Sequence, residues 1–205
     1  MVIFPPETRP YPATRHQSGP ARSAVFFDRD DTLIENATLP PEALAGKLGD
    51  LADPAWVRPL PGAADACRRA RELGYAVIIV TNQGVVARGG ATLAQVEATC
   101  QRTLDLLGPG IEAGLACPFH PQANGPAEFC REHDWRKPQP GMLLAAAELF
   151  NLDLAHSWMV GDAQRDIDAG LAAGLPQTQC LLVGNTLDLT QVMDRIAQTP
   201  APTHG

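Results

Sequence analysis

The feature that most constrains the fold is the alternation of short β-type runs with helical patterns. Five runs are predicted as strands, at residues 24–27, 76–80, 115–117, 157–160 and 179–183. Strands that alternate with helices are typical of a parallel sheet covered by helices on both faces. The sequence therefore predicts an α/β fold of the Rossmann-like, doubly wound class.

The predicted helices carry ordinary start and stop signals. Pro61 and Gly62 open a helix that ends at Gly74, and Thr92 with Gln95 forms a capping box at the start of the next helix. Three further helices are predicted at residues 141–150, 163–173 and 187–196. A chain of 205 residues suits one core. We expect a single domain over residues 23–198, without a large cap domain.

Four segments lie outside this pattern. Residues 1–22 contain five prolines, which break an amphipathic helix, and we expect a flexible leader there. Residues 199–205 are predicted to form a flexible tail. Two long interruptions, at residues 36–59 and 118–135, follow strand ends. Long loops at the carboxyl ends of parallel strands usually shape a ligand crevice, so both are candidate loops on the active-site side.

Charge and composition exclude several function classes. The 16 Lys and Arg against 23 Asp and Glu give a net charge of −7, which disfavours unspecific nucleic-acid binding. The apolar runs fall far short of the roughly 20 residues that cross a bilayer. Five cysteines are an odd number, and the first 22 residues lack an apolar h-region. We therefore expect a monomeric, cytoplasmic protein with no membrane or nucleic-acid partner.

Three carboxylates, those of Asp28, Asp30 and Asp31, crowd the end of the first predicted strand. Like charges at this distance repel unless a cation or a proton compensates them. An EF-hand is excluded, because its loop requires Gly and Glu where this chain has Leu33 and Leu39. The pattern indicates a metal site of another kind.

Other chemistry-bearing residues also follow predicted strands or precede a helix. Thr81, Asn82 and Gln83 follow the second predicted strand, Lys137 precedes a predicted helix, and Asp162 follows the fourth strand. Each signal is weak alone. Their order and their common position indicate one site.

Together these motifs resemble the haloacid dehalogenase (HAD) superfamily. Its phosphatases carry D-x-D-x-T, then Thr or Ser, then Lys, then an acidic G-D-x(3)-D motif, and this chain has them at residues 28–32, Thr81, Lys137 and residues 161–166. The resemblance covers about residues 23–185. It implies a phosphomonoesterase that works through an aspartyl-phosphate.

The resemblance also implies roles for individual residues. Asp28 would attack phosphorus, and Asp30 would act as general acid and then as general base. Thr81 and Lys137 would bind the phosphoryl group. Asp166 would orient Lys137 or a water.

A magnesium ion is the implied cofactor. By resemblance its ligands would be Asp28, the backbone carbonyl of Asp30, and Asp162.

Within the superfamily, four further markers resemble the branch of heptose bisphosphate 7-phosphatases and histidinol-phosphate phosphatases. They are the Asp-Arg-Asp start at residues 28–30, residues 81–89, the Cys-Pro-x-His-Pro run at residues 117–121 and the Arg-Lys-Pro-x-Pro-Gly-Met-Leu run at residues 136–143. A small phosphorylated metabolite is therefore the expected partner, with a heptose bisphosphate ahead of histidinol phosphate. Arg88 and Arg136 are candidates for a second anionic group, or else solvated cations. Asn82 and Gln83 are candidates for substrate hydroxyls, or else loop caps. An alternative from another class is a non-catalytic phosphoacceptor that resembles a receiver domain.

Two departures from the branch stand out. Asp31 replaces a glycine, and Asp tolerates positive φ better than most residues. Zinc-binding members carry C-x-H and C-x-C in the loop before the Arg-Lys-Pro motif, where this chain has Phe119, His133 and Trp135. A rearranged zinc set of Cys117, His120, Cys130 and His133 is one hypothesis. The other is an apolar cluster of Phe119, Phe129 and Trp135.

Overall fold

The computed structural model describes residues 1–9, 19–45, 49–184 and 186–199. Its centre is a six-stranded parallel sheet with the order β1-β4-β3-β2-β5-β6. The strands are β1 (Val2–Ile3), β2 (Ala24–Phe27), β3 (Ala76–Asn82), β4 (Ile111–Cys117), β5 (Trp158–Gly161) and β6 (Cys180–Leu182). The helices are α1 (Ala63–Glu72), α2 (Leu93–Leu107), α3 (Gly141–Phe150), α4 (Gln164–Ala172) and α5 (Leu189–Gln198). The predicted doubly wound α/β class is confirmed.

The two faces of the sheet bury different helices. Successive residues of a strand point to opposite faces, so Phe26 packs with α3 and α4, whereas Val25 and Phe27 pack with α1, α2 and α5. All four residues of β2 are buried, as expected for a central strand covered on both sides. Among the described residues, the helices lack the length and apolar character of a membrane span.

The register of the three central strands determines where the site lies. Phe27 pairs with Ile79 of β3 and with Val160 of β5. Asp28 therefore leaves the sheet between the ends of β3 and β5. The parallel arrangement brings the carboxyl ends of all three strands to one edge.

The N-terminal segment differs from the predicted flexible leader. Val2 and Ile3 pair with Gly114 and Leu115 as an edge strand, and Phe4 is buried in a cluster with Val85. Two apolar residues are too few for a strand pattern, and here the pairing with β4 creates the strand. Residues 10–18 of the leader and 200–205 of the predicted tail lie outside the described residues.

Strand β4 begins four residues before the prediction. It starts at Ile111, and the run that pairs with β3 includes Gly114. Glu112 and Gly114 break the apolar pattern that the prediction relied on. The capping box of Thr92 and Gln95 at the start of α2 is confirmed.

The two long interruptions fold locally. The segment after β2 contains the 3-10 turns Pro41–Ala43 and Pro54–Trp56, and it packs around a small core that includes Ile34 and Leu51. The loop after β4 contains the turn Ala127–Phe129. Both follow strands at the edge where the polar residues gather.

Candidate active site

Lys137 is the buried centre of the site. Its Nζ lies 2.5 Å from Asp28 Oδ1 and 2.7 Å from Asp166 Oδ1, and it donates to the carbonyl of Val80 at 2.8 Å. The side chains of all three charged residues are at most 3% exposed. Charges removed from water must be paired, so this contact set holds both carboxylates firmly.

Asn82 fixes the backbone of Lys137. Its Nδ2 donates to the Lys137 carbonyl at 2.9 Å, and its Oδ1 accepts from the Lys137 amide at 3.0 Å. This reciprocal pair ties the end of β3 to the segment before α3. The contact agrees with the loop-holding alternative for Asn82.

Three carboxylates face one another beside Lys137. Asp28, Asp162 and Asp166 each place one oxygen within 4.8 Å of the others. Among the described residues, buried Asp28 Oδ2 and Asp162 Oδ1 have no hydrogen-bond donor. Burial, together with the charges of Asp28 and Asp166, raises the pKa of Asp162 to about 7. A group of oxygen ligands with uncompensated negative charge fits a hard divalent cation such as magnesium.

Asp30 lies in a separate hydrogen-bond network. Arg29, which is 1% exposed, donates to both Asp30 oxygens at 2.8 to 3.1 Å. Gln83 Nε2 donates to Asp30 Oδ2 at 2.8 Å and to Thr81 Oγ1 at 2.9 Å. The carboxylate of Asp30 is thus outside the group of three, and buried Gln83 supports Asp30 and Thr81 directly.

Asp31 shapes the chain at the start of the 36–59 segment. Its φ is 56°, and its Oδ1 accepts from the amides of Asn36 and Ala37 at 3.0 and 2.8 Å. Asp is among the residues that tolerate this left-handed region and cap nearby amides. The prediction for this position is confirmed.

A cavity of about 230 Å³ opens beside Asp30. Three arginines line it, Arg88, Arg136 and Arg165. Arg88 pairs through two nitrogens with buried Asp50 of the 36–59 segment. The predicted residues Arg88 and Arg136 therefore do reach one pocket.

Arg136 is the least compensated of the three cations. It donates to the carbonyl of Phe119 at 3.1 Å, and no ion pair joins it to a carboxylate within the described ranges. Burial lowers its pKa, and the positive charges of Arg88 and Arg165 lower it further. Such a cation favours a bound anion. Sequence reasoning missed Arg165, whose signal is its place three residues after Asp162.

The predicted zinc ligands do not form a metal-binding group. In the described part of the chain, Cys117, His120, Cys130 and His133 do not bring three ligand atoms together. Cys117 is buried, which raises the pKa of its thiol to about 12. The two nitrogens of His133 contact Glu7 and the Trp135 amide. The rearranged zinc set is therefore not supported by the structure.

The three aromatic residues of this loop pack together, as the other hypothesis expects. Phe119 and Trp135 belong to the main core cluster, and Phe129 packs against it. The rings of Phe119 and Phe129 lie 5.6 Å apart, and His133 stacks on Phe119 at 4.2 Å. Aromatic packing stabilises the 118–135 loop.

The parallel sheet and the carboxylate and lysine cluster at its carboxyl edge define a HAD-like hydrolase. Residues 134–200 match the family described as HAD-hydrolase-like. The D-glycero-β-D-manno-heptose-1,7-bisphosphate 7-phosphatase of Salmonella typhi is 37% identical over 160 residues, 74% of this chain and 76% of that protein. The Yersinia pestis protein of the same name is 40% identical over 155 residues, 74% of this chain and 76% of that protein.

Solved structures agree with these relatives. A protein from Mesorhizobium loti described as a HAD-like phosphatase has a TM-score of 0.71 and 32% identity, over 87% of this chain and 86% of that chain. The D,D-heptose 1,7-bisphosphate phosphatase from B. bronchiseptica, complexed with magnesium and phosphate, has a TM-score of 0.61 and 26% identity, over 88% and 89%. The chain belongs to the family of HAD-like phosphatases that includes these heptose bisphosphate phosphatases. It is a phosphoric monoester hydrolase.

Proposed function

We propose that this phosphatase removes the 7-phosphate of a D-glycero-D-manno-heptose 1,7-bisphosphate in a magnesium-dependent reaction. The relatives at 37% and 40% identity carry that activity in their names. The observation that carries the proposal is the position of the cationic pocket. Arg88, Arg136 and Arg165 line a cavity that Asp30 also lines, so a substrate phosphate near the carboxylates can have its second anionic group at the arginines.

The chemistry begins with Asp28. A phosphate monoester repels nucleophiles, so the site must neutralise charge while it presents an oxygen in line with the leaving group. Lys137 holds Asp28 Oδ1 and supplies positive charge beside it. Asp28 attacks phosphorus, the bond to the leaving oxygen breaks, and an aspartyl-phosphate forms.

Asp30 moves the protons in both halves of the reaction. It protonates the departing alkoxide, and it later takes a proton from the water that hydrolyses the aspartyl-phosphate. In the structure its two oxygens accept from Arg29 and Gln83. An oxygen that carries a proton cannot point that proton at a donor, so the acid step requires the Asp30 side chain to turn toward the cavity.

Asp28, Asp162 and the backbone carbonyl of Asp30 would hold magnesium, and the carboxylate of Asp166 lies beside them. When bound, magnesium neutralises the charge of the transferring phosphoryl group. Asp166 also keeps Lys137 in place through their 2.7 Å contact. Thr81, held by Gln83, is a donor for the phosphoryl oxygens.

Phosphate release from a substrate panel tests this proposal. The panel holds both anomers of the heptose 1,7-bisphosphate, histidinol phosphate and common sugar monophosphates, with magnesium or with a chelator. We expect kcat/KM for one bisphosphate anomer to exceed that for the monophosphates by about tenfold or more, as for one lost charge-assisted contact. Asp28→Asn is the inactive control.

Two outcomes contradict the proposal. Equal kcat/KM across the panel would remove the role of the cationic pocket in substrate choice. A stable phosphoaspartate formed from acetyl phosphate, with no turnover of any substrate, would favour the receiver-like alternative.

A further inference from the structure

Glu7 joins the N-terminal segment to the loop beside the cavity. Its Oε1 lies 2.6 Å from His133 Nε2 and accepts from Arg131 Nη2 at 3.0 Å. These contacts span 124 and 126 positions along the sequence. Strand β1 and buried Phe4 hold the segment against the sheet, so Glu7 projects from a fixed base.

The tautomer of His133 follows from its two neighbours. The backbone amide of Trp135 donates to His133 Nδ1 at 3.0 Å, so this nitrogen acts as an acceptor. In a neutral imidazole the other nitrogen then carries the proton. His133 therefore donates from Nε2 to Glu7, and the ring orientation is set from both sides.

Both partners of Glu7 pack against the same aromatic ring. The His133 ring stacks on Phe119 at 4.2 Å with 5° between the planes, and the Arg131 guanidinium carbon lies 4.4 Å from the Phe119 centroid. The backbone carbonyl of Phe119 accepts from Arg136 Nη1 at 3.1 Å. A continuous set of contacts thus runs from Glu7 to a cavity-lining cation.

The exposure of these side chains indicates that Glu7 positions other residues more than it stabilises the fold. The side chains of Glu7 and Arg131 are 44% and 50% exposed, and ion pairs at such positions contribute little to folding. His133 is 9% exposed, and Phe119 is 2% exposed. We therefore expect the exposed contacts of Glu7 to affect the orientation of His133 and Phe119 more than the stability of the fold.

We propose that Glu7 is a positioning residue that, through Arg131, His133 and Phe119, holds Arg136 at the wall of the substrate cavity. The inference rests on the proposed function, in which Arg136 binds the second anionic group of the substrate. Glu7, near the N-terminus, thereby takes part in substrate selection at the cavity, through the contacts that lead to Arg136.

The test compares two variants, each of which removes one of the contacts that the N-terminal segment makes with the rest of the chain. Glu7→Ala removes the contacts to the loop. Glu97→Ala is the matched control, because Glu97 pairs with Arg9 at 2.6 Å and ties the segment to α2 instead. KM and kcat are measured with the heptose bisphosphate and with p-nitrophenyl phosphate, which has one anionic group. Thermal unfolding shows whether each variant is folded.

In Glu7→Ala we expect KM for the bisphosphate to rise about threefold to fivefold, the range of one such ion pair. Its kcat, and both constants for p-nitrophenyl phosphate, should remain as in the parent chain. Glu97→Ala should leave KM and kcat unchanged for both substrates. Glu7→Gln keeps an acceptor for His133, so its KM for the bisphosphate should lie between those of Glu7→Ala and the parent chain.

An Arg136→Met background separates the two proposals. There, Glu7→Ala should have no further effect on KM for the bisphosphate. If Arg136→Met raises that KM and Glu7→Ala does not, the positioning role is wrong while the proposed function stands. If Arg136→Met itself leaves that KM unchanged, the second-anion role in the proposed function is wrong.

Discussion

The carboxyl edge of the sheet and the 118–135 loop each hold a cation, Lys137 and Arg131, but by different contacts. At the sheet edge, Lys137 lies between Asp28 and Asp166 with no more than 3% of any of the three side chains exposed. In the loop, Arg131 is half exposed, packs over the ring of Phe119 and pairs with exposed Glu7.

This difference shows that the residues that carry out the reaction and those that affect substrate preference are held in different ways. A buried pair that loses one partner leaves a charge without compensation, so each residue of the edge depends on the others. Contacts in the loop are individually weak and do not strand a buried charge. We expect the edge to tolerate few substitutions and the loop to allow graded changes in substrate preference.

Lys137→Met gives the largest expected effect. It leaves Asp28 and Asp166 buried without their cation, so turnover should fall by about four orders of magnitude or more. Without magnesium, the free energy of unfolding should fall by about 3 kcal/mol or more. Urea denaturation and phosphate release measure both. Glu7→Ala should lower the unfolding free energy by less than about 1 kcal/mol. Equal losses of stability in the two variants would contradict the difference between the sheet edge and the loop.

Gly161→Ala tests how closely the edge is packed. A Cβ at Gly161 would lie 2.4 Å from the Cβ of Asp166, so Asp166 must shift away from Lys137. Displacement of a catalytic constellation by about 1 Å costs about a hundredfold in rate, and we expect that loss in kcat. Gly114→Ala is the control, since its Cβ meets Leu104 at an ordinary 3.7 Å. Similar kinetics for both variants would contradict close packing at the edge.

The pH dependence of magnesium binding is a smaller effect. Burial and the nearby carboxylates raise the pKa of Asp162 to about 7. Between about pH 4 and that value, folded Asp162 keeps a proton that the unfolded chain has lost, so its contribution to stability falls as pH rises.

Magnesium must displace this proton, and below pH 7 its affinity should fall by about tenfold per pH unit. Isothermal titration calorimetry at pH 6 and pH 8 measures the change, and Asp162→Asn should remove the dependence. An affinity that is the same at both values would show that Asp162 is already ionised at pH 6.

The residues at the carboxyl edge of the sheet could be predicted better from the sequence than the contacts of the amide side chains and of the loop, for a physical reason. Phosphoryl transfer requires particular residue types at the ends of particular strands, so Asp28, Lys137 and Asp162 are recognisable by type and position. The direction of an amide is set by tertiary contacts instead. The roles of Asn82, which holds Lys137, and Gln83, which supports Asp30, therefore required the structure.

The same distinction applies to the fold. Most strands and helices could be predicted, because their apolar periodicity repeats over several residues. Strand β1 could not, since two residues carry no period and only the pairing with β4 defines them. The link from Glu7 to His133 joins parts of the chain that no local pattern relates.

Strand β1 has a consequence for the behaviour of the protein in concentrated solution. Edge strands expose backbone donors and acceptors to which other chains can add. Val2 and Ile3 pair with the outer side of β4, and the Met1 carbonyl accepts from the Gly114 amide at 2.9 Å. The N-terminal residues thus cover Gly114 and Leu115 in the middle of the seven-residue strand β4. We expect their loss to leave these backbone groups open to pairing with another chain, at the side of the sheet remote from β6.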